Sequence, residues 1–248
     1  MVNDRVKRIS VLKVPVDIMA PDDLEEVIKA MYSDGKNHQI VLLSASDLMR
    51  ARRSGEFRTM IAGASLVIPI SLSIIKTARF LKRPVPYRYE PFDFIVRVLA
   101  VLERWGKSAY MFGGKPKGLA KASKNIKTTF PGLRLVGSHS SRMNKSFHPK
   151  IVEAIRKASP TLLLAGKGVP GGERWIPRNM KHFNAGIQMW CSDVFDVFAE
   201  RTVRPPAAVF EKGLEWLYYL PKHPWTVFRV FTALWMDIVS LWYRLRRK

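Results

Sequence analysis

The chain is poor in cysteine and in acidic residues, and these shortages limit what it can be. Cys191 is the only cysteine among 248 residues, which excludes an internal disulfide framework and favours a reducing compartment. Asp and Glu together number 20, against 42 Lys and Arg. No spacing of His, Cys and carboxylates is typical of a metal site, and neither a Gly-x-Ser-x-Gly nor a Walker-type phosphate signature is present. We therefore expect no metal and no cofactor.

A secretory signal is also missing from the beginning of the sequence. Residues 1–8 are polar, and the apolar run that follows is interrupted by Lys13, Pro15 and Asp17. A signal peptide needs an unbroken apolar stretch of about 7–15 residues, which this segment does not provide. The sequence therefore predicts a protein that stays in the cytoplasm.

The shortage of acidic residues leaves a formal net charge of +22, which predicts attraction to polyanions. Anionic membrane lipid and nucleic acid are both possible partners, and a third interpretation is that the charge only confers solubility. No helix or stacking motif of a nucleic-acid-binding module is evident, which argues against nucleic acid. Anionic lipid is the partner that the sequence favours.

Short apolar runs alternate with amphipathic stretches along most of the chain, of which 47% is apolar. Short apolar runs predict extended segments at 9–19, 39–43, 64–69, 108–112, 133–136, 161–165 and 185–190. Helical spacing predicts helices at 21–35, 46–63, 91–105, 116–129, 147–158 and 171–183. This alternation predicts an α/β fold with a Rossmann-like, mostly parallel sheet and helices on both faces.

The C-terminal stretch 224–248 has a different pattern. Polar or small residues recur at helical spacing and form one stripe: Arg229, Ala233, Asp237, Ser240 and Arg244. The remaining positions are apolar or aromatic and include Trp235 and Trp242, and the chain ends in the basic run RLRRK with Arg246 and Arg247. A membrane span needs about 20 apolar residues, so this helix suits the membrane interface better. Packing on its own domain, or on a partner chain, is the alternative.

Two glycine-rich turns each follow a predicted strand and lead into a predicted helix: FGGKPKG at 112–118 and AGKGVPGGE at 165–173. Glycines allow backbone N–H groups to approach a ligand, and the N-terminus of a helix favours an anion. Such turns are also common without a ligand. The motifs are compatible with a nucleotide site but do not establish one.

The segment RPPAAVFEKGLEWLYYLPKHP, residues 204–224, resembles the C-terminal signature of the WecG/TagA/CpsF family of bacterial glycosyltransferases. The residues at matching positions are Asp196, Arg204, Pro206, Gly213, Leu214, Glu215, Trp216, Leu217, Tyr218, Leu220 and Pro224. The glycine-rich turns are similar to the family's two donor-binding segments, at Gly113, Gly114, Pro116 and Gly118, and at Gly166, Gly168, Pro170, Glu173 and Trp175.

The resemblance implies a protein that transfers a sugar from a UDP-sugar to a lipid-linked or other cell-envelope acceptor, peripherally at the inner membrane face and without a metal. It implies an α/β domain at 1–203 and a helical, membrane-facing appendage at 204–248. Donor-nucleotide binding would fall to Gly113, Gly114, Pro116, Gly166, Gly168, Pro170 and Glu173. The acceptor diphosphate would be held by Arg88, Arg204 and Arg229, and the membrane contacted by Trp235, Trp242, Arg244, Arg246 and Arg247.

The chain departs from the family pattern where the family's chemistry is located. Leu43 and Ala45 stand at its Thr and Asn positions, and Ile70 stands at the position of its base, an aspartate. No catalytic residue is therefore assigned from the sequence. Asp47, Asp93 and Glu90 are candidates for a relocated base, and helix capping is the alternative role for Asp47 and Asp93.

These departures leave two other functions open. One is a catalytically inactive pseudoenzyme that acts as a membrane-associated scaffold or regulator, with a protein partner or a second copy of the chain. The other is a protein that binds polyanions such as nucleic acid through its charge alone.

Overall fold

The structure is a computed structural model that describes residues 5–53, 55–142, 147–184, 186–221 and 224–245. Its strands are β1 (Val6–Val11), β2 (Val14–Met19), β3 (Asn37–Leu43), β4 (Leu66–Pro69), β5 (Ser108–Phe112), β6 (Arg134–His139), β7 (Leu162–Gly166) and β8 (Gly186–Ser192).

Helices connect these strands and follow the last of them. They are α1 (Leu24–Ser33), α2 (Ala45–Ala51), α3 (Gly55–Gly63), α4 (Leu72–Phe80), α5 (Pro91–Arg104), α6 (Pro116–Thr129), α7 (His148–Ala158), α8 (Trp175–Asn179), α9 (Val194–Phe198), α10 (Ala207–Glu211), α11 (Glu215–Tyr219) and α12 (Phe228–Leu245).

Six strands form one parallel sheet in the order β4-β3-β8-β7-β5-β6. From β3 the chain continues to the edge strand β4, and from β5 it continues to the opposite edge strand, β6. The strands β7 and β8 lie in the centre of the sheet. The loops after the four central strands therefore diverge at the same end of the sheet, where ligands bind in open α/β folds. This is the Rossmann-like α/β fold that the sequence predicts.

The sheet is covered on both faces, as predicted. Neighbouring residues on β5 alternate between the two sides: Met111 belongs to a core with α1, α5, α6 and α9, while Tyr110 and Phe112 belong to a core with α7 and α8. A third core lies beneath α2, α3, α4 and α12 and includes Leu43. The period of two residues is that of a strand buried on both sides.

Some predicted elements differ from the structure. The predicted extended segment 9–19 contains the end of β1, a turn and all of β2, which form an antiparallel hairpin. The chain turns at Leu12 and Lys13, which have φ of 50° and 70°. The predicted helix 46–63 is two helices, α2 and α3. The predicted helix 171–183 is a series of short turns, since Gly171 and Gly172 have positive φ and α8 has only five residues.

A buried carboxylate fastens the hairpin to the edge of the sheet. Asp17 is 1% exposed, and its two oxygens accept hydrogen bonds of 2.7 Å from Nε and Nη2 of Arg8. The backbone N–H of Val67, on the edge strand β4, also donates to Asp17 at 2.7 Å. The hairpin thus covers an edge that would otherwise expose an unpaired strand.

We predict that Asp17→Asn lowers the free energy of unfolding by about 2 kcal/mol, because its amide cannot accept all three of these hydrogen bonds. Urea unfolding measures the change. Asp22→Asn is the matched control, since Asp22 is exposed in the turn before α1. A loss no larger in Asp17→Asn than in this control would contradict the assigned role.

The last helix packs on the α/β part through a face that the sequence did not single out. Met236, Val239 and Ser240 of α12 are buried against α2 and α4. Ser240 belongs to the predicted polar stripe, so one part of that stripe faces the domain. The opposite side of α12 exposes large apolar side chains instead, among them Phe231 and Ile238. Within the described ranges, no helix combines the length and the apolarity needed to cross a bilayer.

Candidate functional site

The two glycine-rich turns touch each other at the carboxyl end of the sheet. Gly113 has φ of 135°, and a Cβ there would lie 2.8–2.9 Å from the backbone O, C and N of Gly166. A Cβ on Gly166 would in turn lie 2.8 Å from the ring of Phe195. Only glycine fits at these two positions, because backbone and an aromatic ring approach from both sides.

Hydrogen bonds link these turns to the loops after β6 and β8. The N–H of Gly114 donates to the carbonyl of Lys167 at 2.7 Å, and the N–H of Lys167 donates to that of Ser192 at 2.6 Å. Ser141 donates to the carbonyl of Gly114 through its backbone N–H and through its hydroxyl, at 3.2 and 3.0 Å. The loops after β5, β6, β7 and β8 therefore form one connected rim.

Cationic side chains lie where this rim meets the first turn of α6, and the carboxylate of Asp196 lies beside them. Pro116 occupies the start of the helix, and the residue before it, Lys115, makes no side-chain cap. A Cβ on Gly118 would lie 2.8 Å from Nη1 of Arg201, so this guanidinium lies against the first helical turn. The helix α6 is 14 residues long, and its N-terminus, together with Arg201, suits a phosphate group.

Glu173, predicted in the donor site, is paired with a residue that the sequence did not indicate. Its carboxylate accepts a hydrogen bond from Arg50 of α2, which also lies 3.7 Å from Asp47. Asp47 accepts from the N–H and the hydroxyl of Ser44 in a capping box at the start of α2. Asp47 is therefore part of the cap of α2, which is the alternative role that the sequence left open for it.

The family's Thr, Asn and Asp positions lie together at the ends of β3 and β4. The N–H of Ile70 donates to the carbonyl of Leu43 at 3.0 Å, and the N–H of Ala45 donates to the hydroxyl of Ser71 at 3.0 Å. Leu43 is fully buried in the core. None of these three positions carries a side chain that can accept a proton.

The segment before α5 runs directly beside this place. The N–H of Tyr89 donates to the carbonyl of Pro69 at 3.1 Å, and Nε of Arg88 donates to that of Ile70 at 2.9 Å. The next residue, Glu90, therefore follows a backbone that is hydrogen-bonded to the end of β4. Burial raises the pKa of the Glu90 carboxyl, against the lowering effects of the Asp93 amide and of Arg204.

Glu90 and not Asp93 caps α5. The Glu90 carboxylate accepts from the N–H of Asp93 at 2.7 Å, so the predicted capping role of Asp93 is wrong. Asp93 instead accepts from Arg204 at 2.6 Å, and Arg204 also lies 3.8 Å from Glu90. This arrangement is hard to predict from sequence, because glutamate is an uncommon N-cap.

Two of the three arginines expected at an acceptor diphosphate are engaged within the chain. Arg204 pairs with Asp93, and Arg88 pairs with Glu215. Arg229 lies in α12, and its side chain is not among those that the structure describes. The diphosphate role of these residues stays a prediction.

The residues predicted to touch the membrane lie on or beyond α12. Trp235 and Trp242 are each 46% exposed, and the guanidinium of Arg244 lies 4.6 Å from the ring of Phe80. Arg246 and Arg247 lie outside the described residues. Among the described residues, no group of three or more His, Cys, Asp and Glu is placed to hold a metal ion.

The sequence of the chain matches a known protein family. A sequence model for the family described as "Glycosyl transferase WecG/TagA/CpsF family" matches residues 9–248. The matched region includes the sheet, the glycine-rich rim, the segment 88–93 and the three C-terminal helices.

Proposed function

The chain belongs to the WecG/TagA/CpsF glycosyltransferase family, and from that premise we propose that it transfers a sugar from a UDP-sugar to a lipid-linked acceptor of the cell envelope. The family implies a nucleotide-sugar donor and a lipid-linked acceptor. The observation that carries the proposal is the rim of glycine-rich loops at the carboxyl end of the sheet, where Gly113 and Gly166 touch.

The donor diphosphate fits the part of this rim beside α6. Backbone N–H groups of the first helical turn and the guanidinium of Arg201 lie there, and both favour negative charge. Arg201 also lies 3.5 Å from Asp196, a partner that orients it without burying it. Gly168, with φ of 92°, keeps the neighbouring loop close to Ser141.

We predict that Arg201→Gln weakens UDP binding about tenfold, the loss expected for a charge-assisted hydrogen bond. Isothermal titration calorimetry with UDP measures the affinity. Arg156→Gln is the control, because Arg156 forms an exposed ion pair with Glu153 on α7. Equal affinities in the two variants would place the diphosphate elsewhere.

We assign the base to Glu90, which follows the backbone that runs beside Ile70. In the transfer, an acceptor hydroxyl oxygen forms a bond to the anomeric carbon of the sugar. The bond from that carbon to the UDP oxygen breaks, UDP leaves with the electron pair, and the hydroxyl proton passes to the Glu90 carboxylate. A raised pKa improves a carboxylate as a proton acceptor near neutral pH.

The exposed side of α12 suits contact with the membrane that holds the lipid-linked acceptor. Eight large apolar residues of this helix are at least 46% exposed: Phe228, Phe231, Leu234, Trp235, Ile238, Leu241, Trp242 and Leu245. Arginines border this surface, since the guanidinium of Arg53 lies 6.0 Å from the Trp235 ring and that of Arg52 lies 5.4 Å from the Tyr243 ring. Apolar insertion flanked by cations favours an anionic bilayer.

We predict that the double variant Phe231→Ser/Ile238→Ser lowers partitioning onto vesicles with anionic lipid at least about tenfold, because it removes two apolar side chains that would enter the bilayer. Co-sedimentation measures the partitioning. Val136→Ser/Val203→Ser is the control, since both valines are exposed outside α12. Unchanged partitioning in the first variant would contradict the membrane role of this surface.

A second candidate function, a non-catalytic scaffold, is favoured by the apolar groups at the family's site positions. Leu43 is fully buried, and Ile70 can accept no proton through its side chain. The two functions differ in one outcome, because a scaffold would bind UDP without releasing it from any UDP-sugar.

A further inference from the structure

The C-terminal signature lies on the turn that contains Ile70. Arg88 donates through Nε to the Ile70 carbonyl at 2.9 Å, and through its two terminal nitrogens to the Phe210 carbonyl and to Glu215. The Phe210 ring covers the guanidinium at 3.7 Å. One arginine therefore joins the end of β4 to both ends of the turn 210–215.

Gly213, in the middle of that turn, makes a second and independent contact. Its φ is 73°, and a Cβ would lie 2.8 Å from Cδ2 of Leu72. Leu72 begins α4, two residues after Ile70. The turn needs a glycine here both for its backbone conformation and for the close approach of Leu72.

We propose that Arg88 and Glu215 are a positioning pair that docks the turn 210–215 over the carboxyl end of β4, and so fixes the acceptor side of the site. The pair acts through the turn and does not touch the reacting atoms. This assignment rests on the proposed function, since the acceptor side is defined by the position of Ile70 beside Glu90. It also gives a physical reason for the Gly213 and Glu215 positions of the signature.

The burial of the pair makes it sensitive to the loss of either partner. The Arg88 and Glu215 side chains are 11% and 19% exposed. Burial lowers the pKa of the Arg88 guanidinium, and the charge of Glu215 opposes this effect. Removing one partner of such a pair leaves the other charge uncompensated, whereas removing both does not.

Hydrogen exchange of the full-length protein tests the docking without any substrate. Glu215→Gln should speed exchange at the amides of Gly213, Leu214 and Leu217 at least about tenfold, and leave β5 and β7 unchanged. Glu211→Gln is the matched control, because it removes one exposed carboxylate from the preceding helix of the same segment. We expect Arg88→Gln/Glu215→Gln to exchange no faster than Glu215→Gln alone.

Kinetics with the same variants separates a positioning role from a general loss of structure. In Glu215→Gln we expect the KM for the lipid-linked acceptor to rise at least about fivefold while UDP affinity stays that of the wild type. Exchange in Glu215→Gln equal to that of Glu211→Gln, or a double variant that exchanges faster than Glu215→Gln alone, would overturn the proposal. If exchange behaves as expected and no variant or wild type transfers sugar, the docking stands and the proposed function fails.

Discussion

Gly113→Ala should abolish measurable UDP binding and lower the free energy of unfolding by about 3 kcal/mol, because the new methyl group overpacks a backbone contact. A Cβ at this position would lie within 2.9 Å of three backbone atoms of Gly166. Neither turn can yield alone, since Gly114 and Lys167 are hydrogen-bonded to each other. Calorimetry with UDP and urea unfolding measure the two effects.

Gly106→Ala is the control that separates the clash from the cost of the backbone conformation. Gly106 also has positive φ, 59°, but a Cβ there would meet nothing within 4 Å. It should lose about 1 kcal/mol and bind UDP as the wild type does. If both variants behaved alike, the contact between the two turns would have no special role in donor binding.

Glu90→Gln should lower the rate of sugar transfer by about 10²–10⁴-fold, the usual contribution of a general base. The amide keeps an oxygen that can accept from the Asp93 N–H, so the cap of α5 persists. Affinity for UDP should not change, because the contacts of the Glu90 carboxylate are with Asp93 and Arg204, which lie outside the glycine-rich rim. Single-turnover transfer measured beside UDP titration distinguishes the two effects.

The pH dependence of rate and stability provides a further check on Glu90. The pKa of Glu90 is raised in the folded protein, so the rate of transfer should increase as the pH rises through that pKa. The stability that the neutral carboxyl contributes is lost over the same pH range. Above it, Glu90→Gln should be at least as stable as the wild type. Asp47→Asn, at the start of α2, should keep the acid limb of the rate profile. An acid limb that persists in Glu90→Gln would contradict this base.

The sequence was sufficient to predict the two elements that flank the first glycine-rich turn. β5 and α6 have the predicted bounds, 108–112 and 116–129. The buried strand has an uninterrupted apolar run, and Pro116 and the glycines mark where the helix begins. The hairpin turn could not be predicted in this way, because Leu12 and Lys13 are unusual residues at positive φ.

Most features that could not be predicted from the sequence depend on contacts between residues that are far apart in the chain. Arg88 and Glu215 are separated by 127 positions, and Arg50 and Glu173 by 123. Such pairs leave no periodic pattern in the amino-acid sequence. Ser141 lies in a run of polar residues after β6, and only its position at the carboxyl end of a strand could have indicated it.

Transfer of labelled sugar by the wild-type protein decides between a transferase and a non-catalytic scaffold. The assay supplies UDP-N-acetylhexosamines with a membrane lipid extract and measures labelled lipid together with released UDP. We predict equal amounts of the two products, and neither in Gly113→Ala. Saturable UDP binding without labelled lipid from any donor would contradict a transferase and leave the non-catalytic scaffold.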